Sequence, residues 1–404
     1  MTSHRAGRLA PQSSGFSAFI PASMPPEPQV ALDPTTQKLL SMADQAVGRL
    51  DGAAQNLPNP DLFVAMYVRR EAVDSSAIEG TQSTLQDVLA FELDPRYENL
   101  PDDVEEVVNY VRAMNYGLQR VSSLPLSLRL IREIHGQLMT GVRGENRTPG
   151  EFRRSQNWIG AANASPQSAT FVPPPVPEML DALDNFEQFL HKPGSLPALV
   201  HCAICHAQFE TIHPFLDGNG RVGRLLIAFL LVHAGVQHRP LLYLSYYLKR
   251  NRARYYEQLM RVRQTGDWES WIHFFLEGVL DTAIEATRSA QQIIRLREDH
   301  RELLVSRGLR SNDFRLLDTL FERPLVNTSL VSKLLAISDR TAGKLINRFE
   351  QMELLEEITG KERYRVFRYT PYWRIFLESG PSATTDSDRQ ETLSDERLDN
   401  AVRL

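Results

Sequence analysis

The amino-acid sequence predicts a mainly α-helical protein that folds as more than one unit. Apolar residues recur at helical spacing through most of the chain between about residues 34 and 305. Glycine, proline or polar clusters bound these stretches, as they bound helices in globular proteins. Strand-like runs are short and confined to residues 150–175 and 355–370. A chain of 404 residues is also longer than one compact core of ordinary size.

The two ends of the chain lack this periodicity. Residues 1–33 are rich in Pro, Ser and Ala, and residues 379–404 carry six acidic residues, three arginines and many Ser and Thr. Such compositions bury too little apolar surface to offset the entropy of ordering the chain. We therefore expect a flexible N-terminal tail and a flexible acidic C-terminal tail.

Helices are predicted in order along the body of the chain. Residues 34–125 form an N-terminal helical region, where Asp33 and Pro34 have the residue types of an N-cap and a first helical position. Further helices are expected from about Asp61 and after Pro101. A helical domain over residues 126–308 follows, with apolar periodic stretches at about 127–140, 177–191, 196–212, 220–234, 245–263 and 268–305.

A short β-hairpin is predicted inside this helical domain. Residues 150–175 contain two β-prone runs, around Trp158-Ile159 and Thr170-Phe171-Val172, separated by a small polar loop. Prolines follow the second run, and proline cannot enter the centre of a sheet. The hairpin is therefore an insertion between helices.

Residues 311–376 have the pattern of a second, smaller domain. Helices are predicted over Asp313–Phe321, Ser329–Leu335 and Asp339–Met352, and two strand-like runs follow within Leu355–Thr370. This order is typical of a winged helix-turn-helix domain. Basic residues lie around its third helix and on its wing, namely Lys333, Arg340, Lys344, Arg348, Lys361, Arg363, Arg365 and Arg368. They make contact with DNA plausible, but glutamates are interspersed, and such domains also serve in dimerisation with a second copy or in target docking.

Composition argues against several classes of protein. No run reaches the roughly 18 to 20 apolar residues that cross a bilayer, and the opening residues lack the apolar core of a secretory signal, so we expect a cytoplasmic protein without membrane contact. The net charge of −5 argues against a nucleic-acid footprint over the whole surface and leaves a local basic patch open. Cys202 and Cys205 form a CxxC pattern flanked by His201 and His206. Because the segment is an apolar helix without a second CxxC, we expect buried reduced thiols rather than a zinc site.

The segment HPFLDGNGRVGR, residues 213–224, carries the strongest functional signal. A glycine-rich turn that opens onto a helix leaves backbone N–H groups unpaired at the positive end of the helix dipole, which favours a bound anion. Gly218 and Gly220 can adopt positive φ, so the turn can wrap a phosphate. Asn219 adds an amide donor in this prediction.

Other side chains of the segment complete a predicted magnesium-nucleotide site. Arg221 and Arg224 are three residues apart, share one helical face and can hold further phosphates through forked hydrogen bonds. Asp217 supplies a hard oxygen ligand, and Mg²⁺ typically takes one carboxylate plus phosphate oxygens and water. His213 can remove the proton from an attacking hydroxyl. Singly, each residue also fits a structural role, as a tight turn, a surface ion pair or a buried histidine.

The complete segment matches the motif HPFx[D/E]GNGRxxR, and the chain resembles the Fic family over about residues 60–300. The resemblance implies a Fic helical core, a flap at the hairpin, and transfer of AMP from ATP to a protein hydroxyl with Mg²⁺. It also implies that His213 is the general base and Asp217 the metal ligand. The ATP-binding residues that it implies are Gly218, Asn219, Gly220, Arg221, Val222, Gly223 and Arg224. The related Doc-type kinases have ANK at positions 218–220, so this sequence favours AMP transfer over phosphate transfer.

An upstream segment resembles the inhibitory motif of the same family, [S/T]xxxE[G/N]. Ser75 and Glu79 are four residues apart on one helical face, and Gly80 lets the helix end there. We expect a forked ion pair of Glu79 with Arg224, which removes the arginine that the γ-phosphate of ATP needs. The structural alternative is a helix end with a solvated glutamate.

The hairpin corresponds to the family's flap, which aligns a target segment by strand pairing. We expect Trp158, Ile159 and Gly160 to dock the target, with a purely structural hairpin as the alternative. Residues 246–256 resemble the family segment that flanks the nucleoside. Asn251 is therefore expected to bind adenine and Tyr256 to pack nearby, although helix packing explains the tyrosines almost as well.

The sequence leads to one main hypothesis and two alternatives. The main hypothesis is an autoinhibited, Mg²⁺-dependent protein adenylyltransferase that modifies Ser, Thr or Tyr of a target protein, with modification of itself left open. The first alternative is a DNA-binding regulator whose Fic fold senses nucleotide, but the intact His213 favours an enzyme. The second alternative is removal of AMP, with Glu79 positioning a water.

Overall fold

A computed structural model describes residues 5–55, 60–121, 123–141, 148–161 and 163–378. Most of these residues lie in helices, which confirms the predicted mainly α-helical fold. The chain divides into two compact units, Met1–Thr287 and Arg288–Leu404. The tail predicted at 379–404 lies outside the described residues. Within the described ranges, no helix combines the length and the apolar character needed to cross a membrane.

The N-terminal segment contains a β-hairpin. Strands β1 (Gly7–Pro11) and β2 (Ser17–Pro21) pair antiparallel, with Leu9 opposite Phe19. Ala18 and Phe19 on β2 are buried, whereas Leu9 on β1 is 56% exposed, so β2 is the strand that packs against the rest of the unit. The expectation of a flexible tail over residues 1–33 is therefore wrong. The hairpin is ordered by packing against the rest of the first unit, which local composition does not reveal.

The first helices follow this hairpin. They are α1 (Pro34–Gln55), α2 (Pro60–Ile78), α3 (Leu85–Leu93) and α4 (Val104–Val121). The Asp33 carboxylate accepts a hydrogen bond from the Thr36 N–H at 2.6 Å, as an N-cap does. Helix α3, which the sequence did not indicate separately, begins at a capping box formed by Thr84 and Asp87.

The remaining helices of the first unit build its core. They are α5 (Leu128–Leu138), α6 (Val176–His191), α7 (Ala198–Ile212), α8 (Asn219–His233), α9 (Ser245–Arg250), α10 (Arg252–Thr265) and the start of α11 (Trp268–Ser306). Helices α7 and α8 pack on each other and are almost wholly buried. The single helix predicted over 245–263 is broken at Asn251. The side-chain amide and the backbone N–H of Asn251 both donate to the Tyr247 carbonyl and end α9 there.

The second unit has the predicted winged helix-turn-helix order. Its elements are α12 (Ser311–Glu322), β3 (Leu325–Val326), α13 (Thr328–Leu335), α14 (Asp339–Gln351), β4 (Leu355–Glu357), β5 (Phe367–Tyr369) and α15 (Thr370–Glu378). Strand β5 lies between β3 and β4, and the sequence did not indicate β3 or α15. The last turns of α11 belong to this unit, because Arg297 contacts Asp318 at 2.8 Å and His300 contacts Tyr369 at 2.6 Å. The unit boundary therefore precedes the one predicted near residue 310.

Candidate active site

The loop between α7 and α8 contains the predicted catalytic motif. Helix α7 ends at His213, which adopts a left-handed backbone conformation with φ of 51°. This conformation is uncommon outside glycine and costs about 1–3 kcal/mol, so the surroundings must hold it. The chain enters α8 at Gly218, which is also left-handed with φ of 76°.

The side chain of Asn219 closes this loop. Its Oδ1 accepts a hydrogen bond from the Phe215 N–H and its Nδ2 donates to the Phe215 carbonyl, both at 2.8 Å. Phe215 is fully buried, which fixes the loop against the core. These two hydrogen bonds give the Asn219 side chain a role in shaping the loop, and the phosphate donor expected from the sequence stays a prediction.

The anion-binding capacity of the loop lies in the backbone of α8. The N–H groups of Asn219, Gly220 and Arg221 form the first turn, where helix geometry leaves them without an intrahelical carbonyl. Gly218, at the N-cap, has no side chain that would occupy them. Unpaired N–H groups at the positive end of a helix are the arrangement that binds a phosphate.

Val222 and Gly223 face the protein interior, unlike the ATP contacts expected of them. The Val222 N–H donates to the Gly218 carbonyl at 3.0 Å, and its side chain is fully buried. The Gly223 carbonyl lies 2.9 Å from Nδ1 of His206. A Cβ at position 223 would lie 2.4 Å from Oε1 of Glu210, so glycine makes room for this buried carboxyl. Burial raises the pKa of Glu210 to about 7.

The imidazole of His213 is neutral at physiological pH. Burial lowers the pKa of His213 to about 3, and the positive charges of Arg263 and Arg153 act in the same direction. Its Nδ1 is buried and has no hydrogen-bond partner among the described residues. The neutral imidazole is the form in which a histidine accepts a proton as a general base.

Arg153, in the segment between α5 and α6, holds the backbone of His213. Its guanidinium is 1% exposed and donates from Nε to the His213 carbonyl at 3.1 Å and from Nη2 to the Pro174 carbonyl. Arg153 was not expected from the sequence. No local pattern distinguishes Arg153 from its neighbour Arg154, whose side chain is 89% exposed.

His135 and Asn157, also missed, brace the same loop. The ring of His135 stacks on Phe215 with centroids 3.8 Å apart, and its Nε2 lies 3.1 Å from the Asp217 carbonyl. Burial lowers the pKa of His135 to about 4, so the neutral ring donates through Nε2 while Nδ1 accepts the Gly150 N–H. Asn157 Nδ2 donates to the Phe215 carbonyl at 2.8 Å. These contacts fix the position of the catalytic loop.

Arg224 is held by residues at the end of α2. Its Nη2 donates to Oε1 of Glu79 at 2.7 Å and to the Ser75 carbonyl at 3.1 Å, while Nε donates to Oγ of Ser75 at 2.8 Å. The guanidinium thus divides its donors between two residues, where the sequence led us to expect a fork on Glu79 alone. Burial opposes ionisation of Glu79, but Arg224 outweighs it and holds the pKa of the carboxyl below its usual range. Gly80 follows with φ of 102°, which favours glycine.

Arg221 contacts a different set of acceptors. Its Nη1 lies 3.4 Å from Oε2 of Glu106 on α4, and its Nη2 lies 3.7 Å from Oδ1 of Asp217. Glu106 is buried and was not singled out in the sequence. The sequence predicts that Arg221 and Arg224 share one helical face, because they are three residues apart. In the structure their guanidinium groups contact different residues.

Asp217 has the properties of a magnesium ligand. Its side chain is 43% exposed, and Oδ1 accepts the Gly218 N–H at 2.6 Å, which orients the carboxylate beside the start of α8. Among the residues that the structure describes, no three His, Cys, Asp or Glu side chains cluster as a metal site. One carboxylate next to a phosphate-binding helix end fits the way Mg²⁺ binds together with nucleotide phosphates.

The segment expected to be a flap forms a single β-bridge rather than two strands. Ile159 and Phe171 exchange two backbone hydrogen bonds, at 2.8 and 3.1 Å. Trp158 is 42% exposed, and its indole N–H donates to a carbonyl across the turn. Gly160 is tightly packed, because a Cβ there would lie 2.8 Å from another side chain. The prolines after Val172 keep the pairing short.

The two residues predicted to lie near adenine differ in their surroundings. The Asn251 amide donates one hydrogen bond to the Tyr247 carbonyl at 2.9 Å at the end of α9, and its expected contact with adenine stays a prediction. Tyr256 is 40% exposed and packs on Tyr255. Burial and the nearby charge of Glu79 raise the pKa of Tyr256. Tyr256 therefore has an electrostatic link to the site through Glu79.

The CxxC segment lies inside α7. Cys202 and Cys205 are buried free thiols, and burial raises the pKa of both. Sγ of Cys205 lies 3.3 Å from Nε2 of His201, whereas His206 contacts the Tyr255 hydroxyl at 2.9 Å. The two histidines therefore have separate partners.

Three family models match the chain. One described as "Fic/DOC family N-terminal" matches residues 37–119, and one described as "Fic/DOC family" matches residues 125–231, which include the loop and α8. Residues 37–119 and 125–231 thus match both domains of the Fic/DOC family. A third model, described as "HTH DNA binding domain", matches residues 314–367 of this chain.

Relatives of this protein include the protein adenylyltransferase Fic of Drosophila grimshawi. It is 30% identical over 199 residues, which are 48% of this chain and 38% of the relative. The protein of the same name from Drosophila virilis is 30% identical over 199 residues, or 48% and 37% of the two chains. The chain thus matches less than two fifths of the length of either relative. A crystal structure of a Fic family protein from Desulfovibrio desulfuricans shares the fold, with a TM-score of 0.55 at 20% identity over 84% of this chain and 97% of that one.

Proposed function

We propose that this protein is an autoinhibited adenylyltransferase that transfers AMP from ATP to a hydroxyl group of a protein. The observation that carries the proposal is the position of His213, at the end of α7 in a loop that leads directly to the first turn of α8. A base beside a phosphate-binding helix end is what nucleotidyl transfer to a hydroxyl requires. The curated relatives named protein adenylyltransferase support the same reaction.

The reaction is an in-line displacement at the α-phosphorus of ATP. The hydroxyl oxygen forms a bond to phosphorus, the bond to the β-phosphate oxygen breaks, and pyrophosphate leaves. His213 takes the hydroxyl proton, and the N–H groups of Asn219, Gly220 and Arg221 stabilise charge on the phosphate oxygens. Asp217 would hold Mg²⁺, which neutralises phosphate charge and favours departure of pyrophosphate.

Glu79 acts as the brake in this proposal. Arg224 is needed by the γ-phosphate, but its Nε and Nη2 donate to Ser75 and Glu79 in the resting protein. The Glu79 carboxylate also places a negative charge where a highly negative ligand has to bind. ATP that enters alongside Glu79 would therefore lack the geometry for in-line attack.

The flap presents one free edge to a target segment. Ile159 uses both its N–H and its carbonyl in pairing with Phe171. Because backbone groups alternate in direction along a strand, those of Trp158 and Gly160 point away from Phe171. We assign these two residues to backbone pairing with the target and Ile159 to holding the flap together.

The decisive experiment is transfer of label from two forms of ATP. The purified full chain, with Mg²⁺ and cell lysate, should label proteins from ATP carrying the label on the α-phosphate and not from ATP carrying it on the γ-phosphate. His213→Ala should lose about 10² to 10⁴-fold in rate, the usual contribution of a general base. Label from the γ-phosphate would indicate a kinase, and undiminished transfer by His213→Ala would exclude the mechanism.

DNA binding by the second unit is a second candidate function. The matching family model and the exposed side chains of Arg340, Lys344 and Asn347 on α14 favour it. Of the other predicted basic residues, Arg348, Arg365 and Arg368 are paired with carboxylates, which reduces the positive charge available to phosphates. The test is duplex affinity as a function of salt. Lys344→Ala should lower the slope of log K against log salt by about 1, and affinity without salt dependence would exclude this candidate.

A further inference from the structure

The N-terminal hairpin lies against the flap. The Phe19 N–H donates to the Val172 carbonyl at 2.8 Å, and the ring of Phe19 packs on Phe171 with centroids 5.8 Å apart. At the tip of the hairpin, the Ser14 carbonyl accepts a hydrogen bond from the Gln167 side chain at 2.9 Å. Two of these three contacts are made by backbone groups of the hairpin.

The residues on either side of the hairpin are tied to the helical core. Asn185 on α6 both donates to the Met24 carbonyl, at 3.1 Å, and accepts the Met24 N–H, at 2.7 Å. On the other side, Arg5 donates two hydrogen bonds of 2.8 Å to the carboxylate of Glu269 on α11. The hairpin is therefore anchored at both ends independently of the flap.

The direction of the hydrogen bonds gives the order of the segments. Phe171 pairs with Ile159, so the carbonyl of the next residue, Val172, points to the opposite edge. Phe19 occupies that opposite edge. The segment of Phe171 is thus covered on both sides, and the edge of Trp158 and Gly160 is the one left for pairing.

The flap needs this support, because its own pairing is minimal. A single pair of residues with two hydrogen bonds contributes little net stability, and an isolated two-stranded ribbon is marginal in water. Phe19 adds buried apolar contacts to this pairing. It forms an apolar cluster with Ala6 and Phe171, against which Ile159 and Met260 pack.

We propose that the N-terminal hairpin positions the flap for the target, with Phe19 as the positioning residue. The hairpin closes one edge of the flap and fixes the other edge in the orientation that a target strand needs. The significance for target docking rests on the proposed function, whereas the support of the flap by Phe19 does not. An experiment can therefore separate the two.

Hydrogen exchange of the full-length protein tests the support of the flap. Phe19→Ala removes a buried ring, so exchange at the Ile159 and Phe171 amides should accelerate by roughly 100-fold, while exchange in α8 stays unchanged. Leu9→Ala is the matched control, because Leu9 lies opposite Phe19 on the same hairpin but is 56% exposed. Equal exchange at both amides in the two variants would overturn the proposal.

A second variant tests the same proposal in case Phe19→Ala does not fold. Asn185→Ala removes both hydrogen bonds to Met24 without touching the hairpin core or the flap. It should also accelerate exchange at Ile159 and Phe171, by a smaller factor than Phe19→Ala. The proposal fails if exchange at these amides is unchanged in Asn185→Ala and if Phe19→Ala accelerates exchange throughout the protein. The hairpin would then contribute to general stability without positioning the flap.

Target transfer is then measured in a Glu79→Gly background with lysate proteins as acceptors. Phe19→Ala should lower the rate of AMP transfer about tenfold at saturating ATP while the half-saturating ATP concentration changes less than about twofold. Phe19→Leu, which keeps an apolar side chain, should recover most of the rate. Absence of any transfer with native Phe19 would count against the proposed function, and the exchange measurements would still decide the role of the hairpin.

Discussion

Glu79 and Arg224, which are 145 residues apart in the sequence, lie 2.7 Å apart between Oε1 and Nη2. The guanidinium is 2% exposed and the carboxylate 39% exposed, so the pair lies at the edge of the buried core. A Cβ at position 220 would lie 2.2 Å from the same carboxylate oxygen. The absence of a side chain at Gly220 therefore lets Glu79 approach the first turn of α8, where we place the phosphates of ATP.

Glu79→Gly should increase AMP transfer. The substitution frees Arg224 for the γ-phosphate and removes a negative charge close to it. A hydrogen bond to a charged group contributes about 1.5–3 kcal/mol, so the gain should be about one to two orders of magnitude. The measurement is the rate of label transfer at saturating ATP, compared with the wild type.

The double variant Glu79→Gly with Arg224→Ala is the control for this interpretation. It lacks the arginine that the first substitution releases, so it should lose the gain. A Glu79→Gly protein that is no faster than wild type would show that Glu79 is only a helix end. A gain that persists in the double variant would show that Arg224 is not the partner through which Glu79 acts.

The acid side of the pH profile should reflect the neutral state of His213. With its pKa lowered to about 3, His213 stays unprotonated from pH 5 upwards. Loss of Glu79, whose charge raises this pKa, lowers it further. The apparent kcat/KM of Glu79→Gly should therefore show no decline centred near pH 6.5, the ordinary value for histidine. A decline of kcat/KM centred near pH 6.5 would contradict the electrostatics of the site.

Arg153→Lys should slow AMP transfer without weakening ATP binding. Lysine keeps the positive charge, but it lacks the planar guanidinium that donates to the carbonyls of His213 and Pro174 at the same time. Displacement of the base by a fraction of an ångström should cost about tenfold or more in rate. Arg154→Lys is the matched control, because the neighbouring side chain is 89% exposed. Equal rates in both variants would show that Arg153 does not position the base.

The chemistry of residues 213–224 could be predicted because it is local. Residue types and spacing within one segment suffice to propose a base, a metal ligand and a phosphate turn. Arg153 and Glu106 could not be found this way, since their contacts with His213 and Arg221 span 60 and 115 residues and depend on packing. Asn219 shows a second limit. An amide can bind a phosphate or close a loop, and the sequence does not reveal the hydrogen bonds with Phe215 by which Asn219 closes the loop.

The N-terminal hairpin was missed for a related reason. Its strands have five residues each, and Phe19 is buried by contact with Phe171 rather than by its own strand partner. Helices α5 to α8 were predicted well because their apolar faces repeat over several turns. Short strands that depend on a distant partner carry no comparable signal.

Gly117→Ala should destabilise the first unit. Gly117 on α4 faces Phe229 on α8, and a Cβ there would lie 2.2 Å from the ring, which is fully buried. Overpacking of this kind costs about 1–3 kcal/mol. Gly48→Ala in α1 is the control, because a Cβ there meets no atom within 4 Å, and it should stabilise the unit by up to about 1 kcal/mol. Chemical denaturation of both variants measures the two effects, and equal midpoints would contradict the contact.

Asp217→Asn should raise the Mg²⁺ concentration needed for AMP transfer. Asparagine keeps an oxygen that can accept the Gly218 N–H, so the loop should retain its shape. It lacks the negative charge that a hard cation prefers, and binding of Mg²⁺ with ATP should weaken. The same substitution should leave the affinity for metal-free ATP unchanged or increase it. The reason is that it removes a negative charge near the phosphates. The two measurements are the transfer rate in a Glu79→Gly background as a function of Mg²⁺ and calorimetric titration of metal-free ATP. Weakened binding in both would indicate a damaged loop, whereas an unchanged Mg²⁺ dependence would show that Asp217 does not hold the metal.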